Sequence, residues 1–136
     1  MMPTDVLIVT IPGTPDKCLS PNAVRSERHW GPRYRATQDS RGNAYMAMIE
    51  SGRIAEGKAF GVPLTLHAVI VWEKGRRAYD PDSAHGILKA TIDGIADALE
   101  IDDKHITLAT VQQDRDPEGR GFVRVAIEPA AKEQAA

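Results

Sequence analysis

Asp80 and Asp82, one residue apart, open a stretch dense in carboxylates: between residues 80 and 104 seven Asp and Glu stand against Lys89 and Lys104, a local charge of −5. In extended backbone, alternate side chains share a face, so both aspartates can point to one side of the chain. Lys89 follows Asp82 by seven residues, two helical turns, and so projects from the same side of a helix that Asp82 begins. Asp102 and Asp103 come just past the end of that helix, before the next strand, where the chain can return to a sheet. Hard carboxylate oxygens with no cysteine pair beside them suit Mg²⁺ or Mn²⁺ rather than zinc. A divalent cation held between carboxylates and a phosphodiester polarises the phosphoryl group, lowers the pKa of a bound water and steadies the departing oxygen. The residues alone leave a second reading open. The same charges describe a solvated helix face, with Asp82 as cap and Lys89 and Asp93 paired at i,i+4.

Phosphodiester chemistry also needs positive charge nearby. Arg25, Arg28, Arg33, Arg35 and Arg41, opposed by Glu27 and Asp39, give residues 25–41 a charge of +3, and Lys74, Arg76 and Arg77 stand immediately before the acidic stretch. His29, Trp30 and Tyr34 are threaded among the arginines and are candidates for stacking on bases, although Trp30 equally reads as a core anchor. Cys18 is the single cysteine, which excludes an internal disulfide and a cysteine-based zinc site; it reads as a half-buried small residue rather than a nucleophile. His67 reads as a packed or rim histidine, whereas His85 and His105 flank the acidic stretch and either touch a phosphate or face water.

The elements that must position these residues follow from periodicity and breakers. Residues 5–11 are β-branched and end at Pro12-Gly13-Thr14-Pro15, a first strand expected to be buried on both faces. Residues 12–36 carry four prolines and Gly13 and Gly31 without a clean period, and read as a long functional loop. A helix is expected over 37–57, a long strand over 62–72 and an amphipathic helix over 83–99, where Ile87, Leu88, Thr91, Ile92, Ile95 and Leu99 recur at helical spacing. Residues 107–113 and 122–128 read as two strands of a hairpin joined by a polar Gly/Pro-bearing loop. The order β-loop-α-β-α-β-β defines an α/β (α+β) domain: one mixed sheet with two main helices packed against it. It fills residues 1–128, and 129–136 read as a frayed tail.

The chain has 136 residues, 42% of them hydrophobic, enough to close one core and too few for a multidomain machine. Its net charge of −2 lacks the basic excess usual in nucleic-acid binders, yet that figure is a near-cancellation between basic and acidic blocks. No apolar run approaches the roughly 20 residues of a membrane span. The N-terminal apolar run is six residues long and follows Asp5, and so reads as a strand and not as a secretory signal. A soluble cytoplasmic protein is the expectation. No Walker-type glycine loop is present to cradle a nucleotide.

Asp80-Pro81-Asp82-Ser83, Lys89, Asp93-Gly94-Ile95 and Asp102-Asp103 resemble, in that order, the signature of RusA-type Holliday junction resolvases, and so do the upstream Leu19-Ser20-Pro21-Asn22 and His29-Trp30. The resemblance spans about residues 19–112. It implies a Mg²⁺-dependent (or Mn²⁺-dependent) endodeoxyribonuclease acting in recombination and repair, associated with the nucleoid in a host-encoded or phage-encoded form. It implies metal ligation by Asp80, Asp82 and Asp103, with Lys89 near the scissile phosphate. It also implies a homodimer that nicks opposed strands of a four-way junction symmetrically. Arg25, Arg28, His29, Trp30, Arg33, Arg35, Lys74, Arg76 and Arg77 are then the candidate DNA contacts. Ser83 stands where the pattern has Asn, and the seven-residue spacing to Lys89 exceeds the four residues of some members. The alternative is a non-catalytic junction-binding protein of the same fold.

Overall fold

The computed structural model describes residues 6–20 and 30–130, Trp30 in its backbone alone. The expected Arg25, Arg28 and His29 contacts lie outside the described residues, as do residues 131–136 of the expected tail. Four strands, β1 (Leu7–Pro12), β2 (Leu64–Trp72), β3 (Ile106–Arg115) and β4 (Phe122–Pro129), form one mixed sheet in the order β1-β4-β2-β3. The helices are α1 (Trp30–Glu50), α2 (Ile54–Ala59), α3 (Pro81–Gly86) and α4 (Lys89–Leu99). This is the expected α+β class. No helix among the described residues is long and apolar enough to cross a membrane.

The sheet is amphipathic by alternation. Leu7, Val9 and Ile11 of β1, Val123, Val125 and Ile127 of β4, and Leu64, Leu66, Ala68, Ile70 and Trp72 of β2 are buried in one core with Ala44, Met48, Ile87, Ile95 and Leu99 of the helical layer. The opposite face carries Ile8, 55% exposed, so β1 is an edge strand buried on one face and not on both. Its alternation buried–exposed is the ordinary signature of a half-covered sheet.

The expected β3–β4 hairpin is replaced by a straddle. β3 runs parallel to β2, β4 runs antiparallel to it on the other side, and the two never pair. The connecting loop wraps the end of β2: Asp116 N–H donates to the Trp72 carbonyl at 3.1 Å and Lys74 N–H to the Gly119 carbonyl at 3.3 Å. The β2-α3-α4-β3 segment is therefore a parallel crossover, a long connection here made by two helices, and the acidic stretch lies within it.

Helix α1 begins seven residues before its expected start, because Gly31 and Pro32 fall in its first turn. Proline is tolerated there, since the N–H it lacks has no helical partner at that position. The expected single helix over 83–99 is two helices with a tight turn at Ile87 and Leu88, both fully buried. At its far end β4 includes Pro129, and Ala130 N–H donates to the Pro63 carbonyl at 3.1 Å, so order extends past residue 128.

Candidate functional site

Asp80 is the N-cap of α3: its Oδ2 accepts from the Ser83 N–H at 3.3 Å, and Pro81 occupies the first helical position, where its fixed φ suits a helix start. Hydrogen bonding from Ser83 holds the Asp80 carboxyl below the usual carboxylate range. Asp82 follows in the first turn and is exposed. The Ser83 that replaces the expected Asn is itself buried, 4% exposed, and supplies the capped amide.

The approach to Asp80 is pinned from β3. The Gln113 amide pairs with Tyr79 on both sides: Oε1 accepts from the Tyr79 N–H at 2.8 Å and Nε2 donates to the Tyr79 carbonyl at 2.7 Å. Trp72 Nε1 donates to the same Oε1 at 2.9 Å. Arg76 lies over the Trp72 ring at 4.5 Å and donates through Nη2 to the Pro15 carbonyl at 3.1 Å and the Tyr79 hydroxyl oxygen at 3.3 Å.

Lys89, Asp93 and Asp103 come together along α4. Lys89 Nζ lies 3.4 Å from Asp103 Oδ2 and 3.9 Å from Asp93 Oδ1. The return of Asp103 to the start of the helix depends on how α4 ends. Glu100 takes a left-handed conformation (φ 59°), and the Ile101 and Glu100 N–H groups donate back to Ala96 and Asp97 carbonyls, a Schellman closure that reverses the chain. Asp102 then caps a single 3₁₀ turn, Asp103–His105, by accepting from the Lys104 N–H at 3.1 Å.

Burial, and then a hydrogen bond shared with Asp103, push the Asp93 carboxyl up. Asp103 moves the other way, held down by hydrogen bonding with Asp102, Asp93 and Lys89 in that order. Burial and the neighbouring carboxyl favour a proton on Asp93, whereas the Lys89 ammonium favours its charged form. Next to it, Arg41 of α1 grips Asp97 bidentately at 2.6 and 2.8 Å. Asp93 lines two adjoining clefts. One, of about 390 Å³, is walled by Leu19, Arg33, Thr37, Ile87 and Lys89; the other, of about 300 Å³, by Arg41, Asp97, Asp102 and Asp103.

Lys89 and Asp103 are thus in contact, and Asp80 and Asp82 occupy the start of α3. The donor set is all carboxylate, which fits a hard divalent cation. Among the described residues no three carboxylate, histidine or cysteine side chains are gathered closely enough to hold a metal ion. Of the expected DNA contacts, Arg33 faces Lys89 across the larger cleft and donates to the Cys18 carbonyl. Arg35 lines a separate polar cleft with Asp16, Asp39, Glu73 and Arg76. Lys74 and Arg77 are exposed, whereas Arg76 is committed to the contacts above with its side chain 25% exposed.

Burial raises the Cys18 thiol pKa, in keeping with a small packed residue. His67 bridges Thr110 Oγ1 at 2.7 Å and Glu128 Oε1 at 3.2 Å. The Arg41–Asp97 clamp and the Gln113 lock have no counterpart in the motif reading. Neither a protein-family model nor a curated protein matches the chain.

Proposed function

We propose that this protein is a Mg²⁺-dependent, structure-selective endonuclease that resolves four-way DNA junctions by paired symmetric nicks, acting as a homodimer. One observation supports the reading: Lys89 meets Asp103 at 3.4 Å, so the lysine and the closing aspartate of the RusA-like pattern, fourteen residues apart, are in contact, and Asp93 beside them lines both adjoining clefts. The half-buried Asp93 and the cationic Arg33 on the same cleft add support.

On this reading Asp80, Asp82 and Asp103, which are not gathered into one group among the described residues, would have to close together on the cation. When bound, it would polarise the phosphoryl group and generate a nucleophilic water near neutral pH. Lys89 supplies a compact positive charge for the scissile phosphate, and Asp93 orients that ammonium from one helical turn away. Arg33, Arg35, Lys74 and Arg77 offer charge to flanking phosphates, a contribution that weakens with salt.

The deciding experiment is cleavage of a labelled four-way junction with and without Mg²⁺, comparing the parent with Asp82→Asn. Paired nicks in the parent, lost in Asp82→Asn while junction binding persists, are expected. Tight junction binding with no scission in any divalent metal would replace the reading with the non-catalytic binder.

A further inference from the structure

Gln113 belongs to the sheet face that packs on the helices, where its neighbours in register are Ile70, Val123 and Ile11. An amide is out of place in that row. It gets there through an irregularity: Leu66 of β2 faces Leu108, but His67 faces Thr110, leaving Ala109 as an extra residue in β3. Before the slip Ile106 and Leu108 point to the core; after it Val111 and Gln113 do, while Ala109, Thr110 and Gln112 are exposed. Strict alternation from Ile106 and Leu108 would turn Gln113 to the open face. Bulges are rare in parallel pairs and recur where a side chain has to be re-aimed.

What the re-aimed amide does is specific. By pairing with both the N–H and the carbonyl of Tyr79, it stands in for a neighbouring strand at the one residue before Asp80. Its oxygen is saturated, one lone pair by Tyr79 and the other by Trp72. Asp80 then passes the constraint on, because its side chain caps the turn that contains Asp82 and Ser83.

We propose that Gln113, turned inward by the Ala109 bulge, is a positioning residue that holds the Asp80–Asp82 turn in one orientation for its ligand. The use made of the turn rests on the nuclease reading; the coupling between Gln113 and the turn does not.

Amide hydrogen exchange on the full chain without metal tests the coupling in Gln113→Leu. Exchange at Tyr79, Ser83 and Ala84 should accelerate at least tenfold, with Val125 in the core of β4 staying within twofold of the parent. Gln113→Glu keeps both acceptor contacts but cannot donate to the Tyr79 carbonyl; it should fall between the two and serves if the leucine variant does not fold. In junction cleavage, Gln113→Leu should need at least fivefold more Mg²⁺ for half-maximal rate, with the saturated rate within threefold. A merely structural glutamine would speed exchange at Tyr79 and Val125 alike and leave the Mg²⁺ requirement unmoved. Unchanged exchange at Ser83 overturns the proposal, as does an unchanged Mg²⁺ requirement in a parent that cuts. A parent that does not cut removes the nuclease reading, and the exchange result then decides the coupling by itself.

Discussion

Gly94 of α4 lies directly beneath the backbone of Arg41 in α1: a Cβ placed on it would stand 2.2 Å from the Arg41 carbonyl oxygen and 2.9 Å from Ala44 Cβ. The two helices that carry the Lys89–Asp93 edge and the Arg41–Asp97 clamp therefore touch backbone to backbone. Neither obstacle is the end of a flexible side chain, so Gly94→Ala must push the helices apart. It should destabilise the fold by about 2–3 kcal/mol by denaturant titration, the upper range for overpacking. Gly42, one residue past Arg41, has nothing within 4 Å of its Cβ position. Gly42→Ala should stabilise by about 0.5–1 kcal/mol, because it relieves the entropy cost of glycine inside a helix. Equal effects at the two sites would contradict the close crossing.

The Arg41–Asp97 clamp makes a pH-dependent contribution. Hydrogen bonding from Arg41 depresses the Asp97 carboxyl in the folded state. A carboxyl lowered on folding stabilises above its unfolded pKa, about 3.9, and loses that contribution as pH falls through the folded value. Both side chains are about two-fifths exposed, 43% and 40%, so solvent screens much of the attraction. Asp97→Asn should cost no more than about 1 kcal/mol at pH 7. The gap in melting temperature between parent and variant should hold from pH 7 to 5 and close below about pH 4. A gap that widened in acid would exclude the ion pair as its source.

The parts of this fold that show in the sequence are those governed by period and composition. Leu64, Leu66, Ala68, Ile70 and Trp72 announce the core face of β2, and Ala84 to Leu99 announce the helical layer, because burial alternates at fixed spacing. Strand partners do not show in this way. A six-residue polar loop between β3 and β4 looks alike whether the strands pair or straddle β2, and the hydrogen bonds that choose are long-range ones from residues 116 and 74. The acidic motif was legible as a set of residue types, and the return of Asp103 to Lys89 was legible only as a possibility, since it depends on the left-handed Glu100, a residue without glycine's preference for that conformation. Gln113 was not legible, because a one-residue slip at Ala109 reverses which residues of β3 face inward.

Arg76 and its neighbours should separate into two kinds of cation. Arg76 stacks on Trp72 and bonds the Pro15 carbonyl and Tyr79 hydroxyl, so Arg76→Ala removes a stacking contact and charged hydrogen bonds together. It should lower stability by about 1–3 kcal/mol. Lys74→Ala and Arg77→Ala, at exposed positions, should change stability by no more than about 0.5 kcal/mol. If they bind phosphates, each should weaken junction binding across sequences and flatten the dependence of log K on log salt by about 0.9 for every phosphate no longer neutralised. Fluorescence-anisotropy titrations from 50 to 200 mM salt, roughly the range over which such charges are screened, read this slope. An unchanged slope in both variants removes residues 74 and 77 from the DNA surface.

Lys89 and Asp103 should fail differently when replaced. Lys89 Nζ is held by two carboxylates with its side chain 75% exposed, so Lys89→Met leaves the fold standing and uncovers the negative charge of Asp93 and Asp103. Junction cleavage should fall by at least about 100-fold, in the range of a missing proton-transfer or phosphate-orienting group, with binding weakened modestly. Asp103→Asn keeps the shape but removes one carboxylate charge from the set proposed to hold Mg²⁺. Its cleavage should fall at least as far, and raising Mg²⁺ tenfold should recover part of the loss. Lys89→Met, whose defect lies at the phosphate, should gain nothing from added Mg²⁺. Recovery of both variants, or of neither, would show that the two residues do not divide the work in this way.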